Sequence, residues 1–294
     1  MHLLYLVFGP NIHNHVQANF SILTFLRQPD HVHGVTVVTD TPAFYRRLAG
    51  AVTVLPVDAR QLKDWEGEFG FFWRVKIKAL EHVARQRPGV PLLYLDADTF
   101  LHGALPGLAH GLAQGRAYMH EPEGLLAALG SKTERRMWAQ AQQQVFGGVR
   151  ITARHAMWNA GVVGIPAARA GEAIAQALGI CDDLCRARVT PRLIEQFALS
   201  VALAETYELH AARPYIGHYW SNKDEWGAQI DAFQLESHLQ GRTLPEELAA
   251  LAEFDFRRVP VKKRLKNTRH RLERLVGRLF PPQEIEFVGK PDTS

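Results

Sequence analysis

Residues 92–100 read LLYLDADTF, in which two aspartates, Asp96 and Asp98, directly follow a short apolar run. Such a run, bounded by polar residues, is typical of a strand buried on both faces. In an extended chain residues i and i+2 point the same way, so the two carboxylates converge at the strand end. Converging negative charges repel unless a cation joins them, and Mg²⁺ or Mn²⁺ takes oxygen ligands and bridges phosphates. The stretch therefore predicts a metal–diphosphate site, with a solvated strand end as the alternative.

Strand and helix signals alternate on both sides of this stretch. Before it, the sequence predicts helices at 14–26 and 72–86, with strands at 3–9, 35–39, 52–57 and 91–95. After it, the sequence predicts strands at 160–165 and 207–209, with helices at 132–145, 166–184 and 192–204. A βαβ order favours a mainly parallel, doubly wound sheet whose functional groups lie at the carboxyl ends of its strands. The expected fold class is therefore α/β, and the acid pair lies where such folds carry their sites.

The acid pair also fits a rival class of enzyme. Asp96-Ala97-Asp98-Thr99 matches the DxDx[TV] motif of haloacid-dehalogenase-like phosphatases, in which the first aspartate attacks a phosphoryl group and the second acts as acid and base. That superfamily carries the motif on the first strand of its core, whereas three predicted strands precede it here. It also needs a later aspartate pair for Mg²⁺, and Asp182-Asp183 falls in the middle of a predicted helix. We keep the phosphatase as the alternative.

Downstream motifs resemble those of GT-A-fold nucleotide-sugar glycosyltransferases, particularly the retaining, glycogenin-like and lipopolysaccharide-sugar transferases. Residues 157–164, MWNAGVVG, look like the family's NAGV strand, about 60 residues after the acid pair. Glu195-Gln196 opens a predicted helix where family members often carry Asp-Gln. The resemblance covers residues 1–226 and implies a Rossmann-like GT-A domain over residues 1–230. It further implies metal-dependent transfer of a sugar from a nucleoside-diphosphate sugar, expected to be a UDP-sugar, to a saccharide or lipid-linked acceptor.

The resemblance also implies a third ligand for Mn²⁺ or Mg²⁺ beside Asp96 and Asp98. In the family this ligand is the histidine of an HxxGxxK-type motif, and His218 with Lys223 is the match in this chain. The spacing is five residues rather than six and the glycine is missing, so a packed core histidine is the alternative for His218. Lys223 is expected to neutralise the diphosphate, or else to be a solvated loop lysine.

The remaining expected site residues follow from the same resemblance. Gly161 could equally be a packing glycine. Arg74 and Lys78 are four residues apart on one helical face, and a solvated charged face is the alternative for them. The expected contacts are Thr39 and Asp40 with the base and ribose, Arg74 and Lys78 with phosphate or base, Asn159 and Gly161 with the sugar and acceptor, and Asp98, Glu195 and Gln196 as the catalytic group.

The stereochemical outcome is left open by the residues. The resembled family retains the anomeric configuration. An inverting enzyme would need a carboxylate base, for which Glu121, Glu195, Asp224 and Glu225 are candidates.

The basic charge of the chain is concentrated near its carboxyl end. Residues 257–278 contain ten Lys/Arg and one acid, Glu273, although the whole chain has a formal net charge of only +4. From Leu265 onwards apolar residues recur at helical spacing, so residues 231–294 are expected to form a helical, basic extension. The segment 257–280 predicts reversible attachment to an anionic membrane surface. Packing of its leucines on the body or on a second subunit is the alternative.

Composition sets the expected location and excludes several classes of protein. No stretch of 18 apolar residues occurs, so an integral membrane protein is not expected. The two cysteines, Cys181 and Cys185, form neither a zinc motif nor a disulfide framework and suggest reduced residues in the cytosol. No reader motif accompanies the basic segment, so nucleic acid is not an expected partner. We expect a cytoplasmic protein, peripheral at the inner face of the cytoplasmic membrane. A degenerate transferase fold that serves as a non-catalytic sugar- or membrane-binding module is the third hypothesis.

Overall fold

The computed structural model describes residues 1–262 together with Leu272, Leu275 and Leu279. The strands are β1 (His2–Leu6), β2 (Gly34–Thr39), β3 (Thr53–Pro56), β4 (Leu92–Leu95), β5 (Thr99–Leu101), β6 (Arg116–Met119), β7 (Pro122–Leu125), β8 (Val145–Phe146), β9 (Val149–Arg150), β10 (Ala156–Trp158), β11 (Val162–Ile165), β12 (Glu208–Ala211) and β13 (Ile216–His218). The helices are α1 (Ile12–Leu26), α2 (Ala59–Glu66), α3 (Arg74–Gln86), α4 (Leu105–Ala113), α5 (Lys132–Ala141), α6 (Ala170–Arg186), α7 (Ile194–Thr206), α8 (Lys223–Leu239) and α9 (Leu244–Ala250).

Seven of these strands form one mostly parallel sheet, in the order β12-β6-β11-β4-β1-β2-β3. β11 alone in this sheet runs antiparallel to its two neighbours, β4 and β6. Apolar side chains of the strands alternate between two hydrophobic cores: Leu3 and Tyr5 of β1 face one core, and Leu4 faces the other. The first core includes α1, α4 and α8, and the second includes α3, α6 and α7. The predicted α/β fold, with a mainly parallel sheet flanked by helices, is confirmed.

Strand register brings the NAGV segment beside the acid pair. β4 pairs with β11 so that Leu95 lies opposite Val162, and the amide of Asp96 donates to the carbonyl of Gly161 at 2.8 Å. The two aspartates therefore leave the sheet directly next to Asn159 and Gly161, although about 60 residues separate them in the sequence.

A second, smaller pairing brings His218 to the same point. β5 begins immediately after the acid pair and pairs antiparallel with β13, where His218 lies opposite Thr99. The backbone amide of Tyr219 donates to the carbonyl of Asp98 at 3.1 Å and extends this pairing by one step. β5 and β13 are each three residues long, and sequence patterning did not predict either of them.

The predicted helix 132–145 ends at Ala141, four residues early. Gln143 has a positive φ of 62°, which turns the chain out of the helical conformation. The chain then enters the β8–β9 hairpin, in which Val145 pairs with Arg150.

The predicted division at residue 230 falls inside α8. Beyond that point the chain still packs on the body, since Phe233 and Phe254 contact the ring of Phe20 on α1. We call residues 254–262 the strap. The basic extension otherwise lies outside the described residues, apart from the helical Leu272, Leu275 and Leu279. No membrane-spanning candidate is found among the helices of the described part of the chain.

Candidate functional site

Three predicted metal ligands converge at the carboxyl edge of the sheet. One ligand atom from each of Asp96, Asp98 and His218 lies within 4.8 Å of the other two. Asp98 and His218 are buried, with 3.4 Å between Oδ1 of Asp98 and Nε2 of His218. Asp96 is half-buried and open to the adjoining cleft. Two carboxylates and one imidazole form a donor set that suits Mn²⁺ or Mg²⁺ with solvent or phosphate oxygens completing the coordination.

Asn159 fixes the orientation of the His218 ring. Its Oδ1 accepts a hydrogen bond from the amide of Gly161 at 3.0 Å, which identifies that atom as the carbonyl oxygen of the side chain. Nδ1 of His218 lies 3.0 Å from the same oxygen and must therefore donate. The other ring nitrogen, Nε2, faces Asp98 and is the atom available for a cation.

Gly161 provides the space that the imidazole occupies. A Cβ added to Gly161 would lie 2.1 Å from Cε1 and 2.4 Å from Nδ1 of His218. Such distances are far below van der Waals contact, so any side chain there would displace the ring. The space beside Gly161 is therefore filled by His218, within the protein itself.

Lys223 also reaches the acid pair. Its ammonium lies 2.9 Å from Oδ2 of Asp98, and its side chain is half-exposed at the cleft. Burial opposes ionisation of Asp98, but the hydrogen bond and charge of His218, together with Lys223, outweigh burial and hold the pKa of Asp98 well below its usual range. Asp98 is therefore ionised. Its Oδ2 pairs with Lys223, whose half-exposed ammonium could instead turn towards an anionic ligand in the cleft.

The cleft contains a further cation, Lys76, that was not among the predicted site residues. Its ammonium lies 3.4 Å from Oδ1 of Asp96 and 2.9 Å from Oε1 of Glu195, and it donates to the carbonyl of Ala160 at 3.1 Å. Burial lowers the pKa of Lys76, but Asp96 and then Glu195 outweigh it, so the pKa is raised and the ammonium stays charged. Tyr94 donates to the same oxygen of Asp96 at 2.7 Å.

One sequence signal could have identified Lys76. It lies three residues after Trp73 and four before Leu80, within the apolar stripe of α3. A charged residue in a buried helical stripe requires a charged partner. The sequence interpretation considered only the solvent-facing pair, Arg74 and Lys78.

Arg74 and Lys78 lie outside the cleft. Arg74 forms a two-pronged ion pair with Asp182 on α6, at 2.6 and 3.0 Å. Lys78 pairs with Glu81 on its own helix. Because both cations bind acids of the protein, the geometry offers no support for their predicted phosphate or base contact, and the cleft cation on α3 is Lys76.

Thr39 and Asp40 end β2 at the same edge of the sheet as the acid pair. The hydroxyl of Thr39 accepts from the amide of Thr41 at 3.1 Å, and the carboxylate of Asp40 accepts from the amide of Gly9 at 3.0 Å. Asp40 therefore stabilises the loop after β1, whose residues Val7 and Phe8 line the cleft, and Thr39 stabilises the turn after β2.

Glu195 and Gln196 are adjacent but face different surroundings. Gln196 lines the cleft, accepts from the amide of Ala160 at 3.4 Å and donates to Glu123 at 3.0 Å. Glu195 lies buried behind the cleft against Lys76, and burial raises its pKa. Of the predicted pair, Gln196 is therefore the residue that can touch a bound sugar directly.

The cleft has a volume of about 440 Å³ and is polar at its base and aromatic at its mouth. At the base lie the acid pair, His218, Lys76 and Lys223. At the mouth Phe72 packs between Phe8 and Trp73, with ring centroids 5.5 and 5.0 Å away. Both Phe72 and Trp73 are strongly exposed.

Comparison with solved structures identifies the fold. The galactosyltransferase LgtC, solved in complex with donor and acceptor sugar analogues, matches over 87% of this chain and 98% of its own, with 11% identity and a TM-score of 0.51. This chain has a GT-A fold. Mouse xyloside xylosyltransferase 1 matches over 71% of this chain and 84% of its own, with 11% identity and a TM-score of 0.45. Neither a protein-family model nor a curated protein matches the sequence.

The GT-A fold and the geometry disfavour the phosphatase alternative. That reaction needs a second aspartate pair at the same edge as Asp96 and Asp98. Asp182 and Asp183 lie on α6 instead, where Asp182 binds Arg74 and Asp183 accepts from the amide of Gly147 at 2.8 Å. The second pair is thus committed to packing α6 onto its neighbours.

The buried ion pair of Lys76 makes a stability prediction. Lys76→Met leaves Glu195 buried without its cation and is expected to destabilise the protein by about 3–5 kcal/mol in urea unfolding. The penalty should be smaller at about pH 5 than at about pH 8, because Glu195, whose pKa is already raised, takes up a proton and loses its charge.

Two variants control this experiment. Adding Glu195→Gln to Lys76→Met should recover most of the loss, since no buried charge then remains unpaired on α7. Lys78→Met, on the outer face of the same helix, should change stability by about 0.5 kcal/mol or less. Equal effects of Lys76→Met and Lys78→Met would contradict the assignment.

Proposed function

We propose that this protein is a divalent-metal-dependent glycosyltransferase that uses a nucleoside-diphosphate sugar. The observation that carries the proposal is the convergence of Asp96, Asp98 and His218 in a cleft that also contains Lys76 and Lys223. The two carboxylates and the imidazole suit a divalent metal ion, and the two lysines beside them suit the diphosphate that such an ion would carry. The spacing from His218 to Lys223 is shorter than in the family motif, as a non-catalytic module would allow. Both residues nevertheless lie at the acid pair, which favours an active enzyme.

The reaction breaks the bond between the anomeric carbon and the diphosphate oxygen and forms a bond from that carbon to an acceptor hydroxyl, which loses its proton. The diphosphate leaves with the electron pair. A divalent cation held by the two aspartates and His218 would stabilise the charge on that leaving group. A cation bound to Asp98 would release Lys223 from that carboxylate, and Lys223 would then add a second positive charge beside the leaving group. Asp98, Glu195 and Gln196 remain the proposed catalytic group, with Gln196 nearest the sugar and Glu195 acting through Lys76.

The donor is proposed to be a UDP-sugar with Mn²⁺ as the preferred ion. The base and ribose would lie between the loop after β1 and the aromatic mouth of the cleft, where Phe8 and Phe72 offer stacking surfaces. Thr39 and Asp40 would support this subsite through the loop they hold, and Asn159 and Gly161 through His218. We propose no donor contact for Arg74 and Lys78, which bind Asp182 and Glu81 on the outer side of α3.

Ligand-dependent thermal stabilisation tests this proposal. UDP with Mn²⁺, each about 100-fold above its dissociation constant, should raise the melting temperature by about 5–10 °C, and either ligand alone should do less. Asp98→Asn should abolish the metal-dependent part because the cation loses a charged ligand. Asp64→Asn, an exposed aspartate on α2, should behave like the unaltered protein.

Two outcomes would contradict the proposal. If neither UDP nor GDP stabilises the protein with Mn²⁺, it is not a nucleotide-sugar transferase of this kind. Turnover of a phosphate monoester that Asp96→Asn abolishes would favour the phosphatase instead.

We further propose that the enzyme works at an anionic membrane surface, on a saccharide or lipid-linked acceptor of bacterial surface-polysaccharide synthesis. The support is the charge of residues 257–280 together with the exposure of three helical leucines beyond the strap. Leu272, Leu275 and Leu279 are 60%, 50% and 64% exposed and recur at spacings of three and four, which puts them on one helical face. Exposed leucines flanked by Lys and Arg suit insertion at an anionic lipid surface.

Co-sedimentation with phosphatidylglycerol-containing vesicles tests the membrane proposal. Replacing Leu272, Leu275 and Leu279 with Gln should weaken vesicle binding about tenfold or more, because each buried leucine contributes on the order of 1 kcal/mol or more. Leu235→Gln with Leu239→Gln, two exposed leucines on α8, is the matched control and should leave binding intact. Unchanged binding of the triple variant, or equal binding to neutral phosphatidylcholine vesicles, would contradict the proposal.

A further inference from the structure

A second cavity, of about 680 Å³, adjoins the metal site on the side of the strap. It lies between the β5–β13 pair and residues 254–262. His218 and Trp220 line both this cavity and the donor cleft, so the two spaces meet at the metal ligand. A group bound in the second cavity can therefore reach the point at which the donor sugar would be released. The other lining residues used below are Glu121, Arg213, Asp255, Arg257 and Lys262.

Trp220 forms the partition between these spaces. Its side chain is 43% exposed, although it is two residues from a buried metal ligand. Among the described residues it makes no ring contact, whereas its neighbours Tyr219 and Trp226 stack on each other at 5.0 Å inside the core. An exposed indole at the junction of cavities presents a large, rigid, apolar face with one polar edge. The C–H face of a sugar ring is the ligand surface that matches it.

The charge around the cavity is positive in excess. Three cations, Arg213, Arg257 and Lys262, line it with two acids, Glu121 and Asp255. Glu121 already binds both Arg213, at 3.0 Å, and Lys262, at 3.2 Å. Within the described part of the chain Arg257 has no ion-pair partner. The three cations and two carboxylates of this described lining leave one positive charge in excess, which an anionic ligand would balance.

The strap, which carries Arg257 and Lys262, is hydrogen-bonded to the segment 218–226. The carbonyl of Pro260 accepts from Nδ2 of Asn222 at 2.8 Å and from the indole N–H of Trp226 at 3.2 Å. Asn222 and Trp226 flank Lys223 on the segment that carries His218. The strap is therefore held at a fixed place relative to the metal site, as a specific binding surface requires.

We propose that this cavity binds the acceptor and that the acceptor is an anionic saccharide. One sugar ring stacks on Trp220, and a carboxylate or phosphate of the same molecule lies against Arg257 and Lys262. Carboxylate and phosphate both present negatively charged oxygens to the two cations. A hexuronate would supply the carboxylate, and a sugar phosphate, free or lipid-linked, would supply the phosphate. The inference rests on the proposed glycosyltransferase function and adds to it the class of acceptor and the residue that orients it.

Saturation-transfer NMR on the full chain with Mg²⁺ and UDP tests this proposal with three probes: methyl glucoside, glucuronate and glucose 1-phosphate. At least one of the anionic probes should bind about tenfold more tightly than methyl glucoside, and the comparison between the two identifies the preferred anion. Arg257→Gln with Lys262→Gln should remove the preference for the anion. Trp220→Ala should weaken the anionic probe about tenfold, because the stacking surface is lost.

Two controls separate this inference from the function on which it rests. Arg46→Gln with Arg60→Gln removes the same charge beside β3, at the opposite edge of the sheet from β6 and β12, and should keep the preference. The unaltered protein and the two double variants should also show thermal stabilisation by UDP and Mn²⁺. With that stabilisation intact, three results would each overturn the acceptor proposal alone: equal binding of neutral and anionic probes, no binding of any probe at millimolar concentration, or unaltered binding by Trp220→Ala. Loss of the stabilisation in the unaltered protein would instead overturn the proposed function.

Discussion

The contact between the His218 ring and the bare backbone of Gly161 is the constraint on which the site depends. Because position 161 has no side chain, the imidazole can lie against the NAGV segment, where Asn159 holds its Nδ1. The same segment binds the amide of Asp96 through the carbonyl of Gly161. One short stretch therefore fixes two of the three predicted metal ligands relative to each other. Asp98, the third, is fixed by the pairing of β5 with β13.

Charge balance explains how so many ionised groups lie together. Asp96 and Asp98 would repel each other in an apolar setting, yet Lys76 lies beside the first and Lys223 beside the second. The two lysines differ in kind. Lys76 is buried between Asp96 and Glu195 and is a permanent part of the fold. Lys223 is half-exposed, so it could exchange its contact with Asp98 for one with an anionic ligand. A binding cation would thus meet a site whose charges are already nearly compensated.

Local sequence patterns were enough to predict the acid pair and the class of the fold. The alternation of an extended chain was enough to bring Asp96 and Asp98 together, and the order of strands and helices was enough to predict the parallel sheet. His218 followed from a motif of irregular spacing, and the structure brings it within ligand distance of both aspartates. Lys76 was missed because its partners come from α7 and the end of β4, and no local pattern joins these to α3. The cavity beside the strap was equally out of reach, since the strap begins more than 150 residues after the acid pair.

Contacts between distant segments were out of reach of local patterns. β5 and β13 are too short to give an alternation signal, yet they bring His218 to Thr99. The carbonyl of Pro260 accepts a hydrogen bond from Asn222 across the domain boundary expected at residue 230, which stays a prediction. Periodicity within one segment carries no information about such contacts.

We infer that His218 completes the metal site because Gly161 leaves it room. Electron spin echo spectroscopy of Mn²⁺ bound to the purified protein can test this inference, since it detects nitrogen coordinated to the ion. We expect a nitrogen signal in the unaltered protein and its loss in both His218→Gln and Gly161→Ala. Gly171→Ala, where an added methyl group meets no neighbour, is the control that keeps the signal. Mn²⁺ bound with oxygen ligands alone in the unaltered protein would show that His218 is not a ligand.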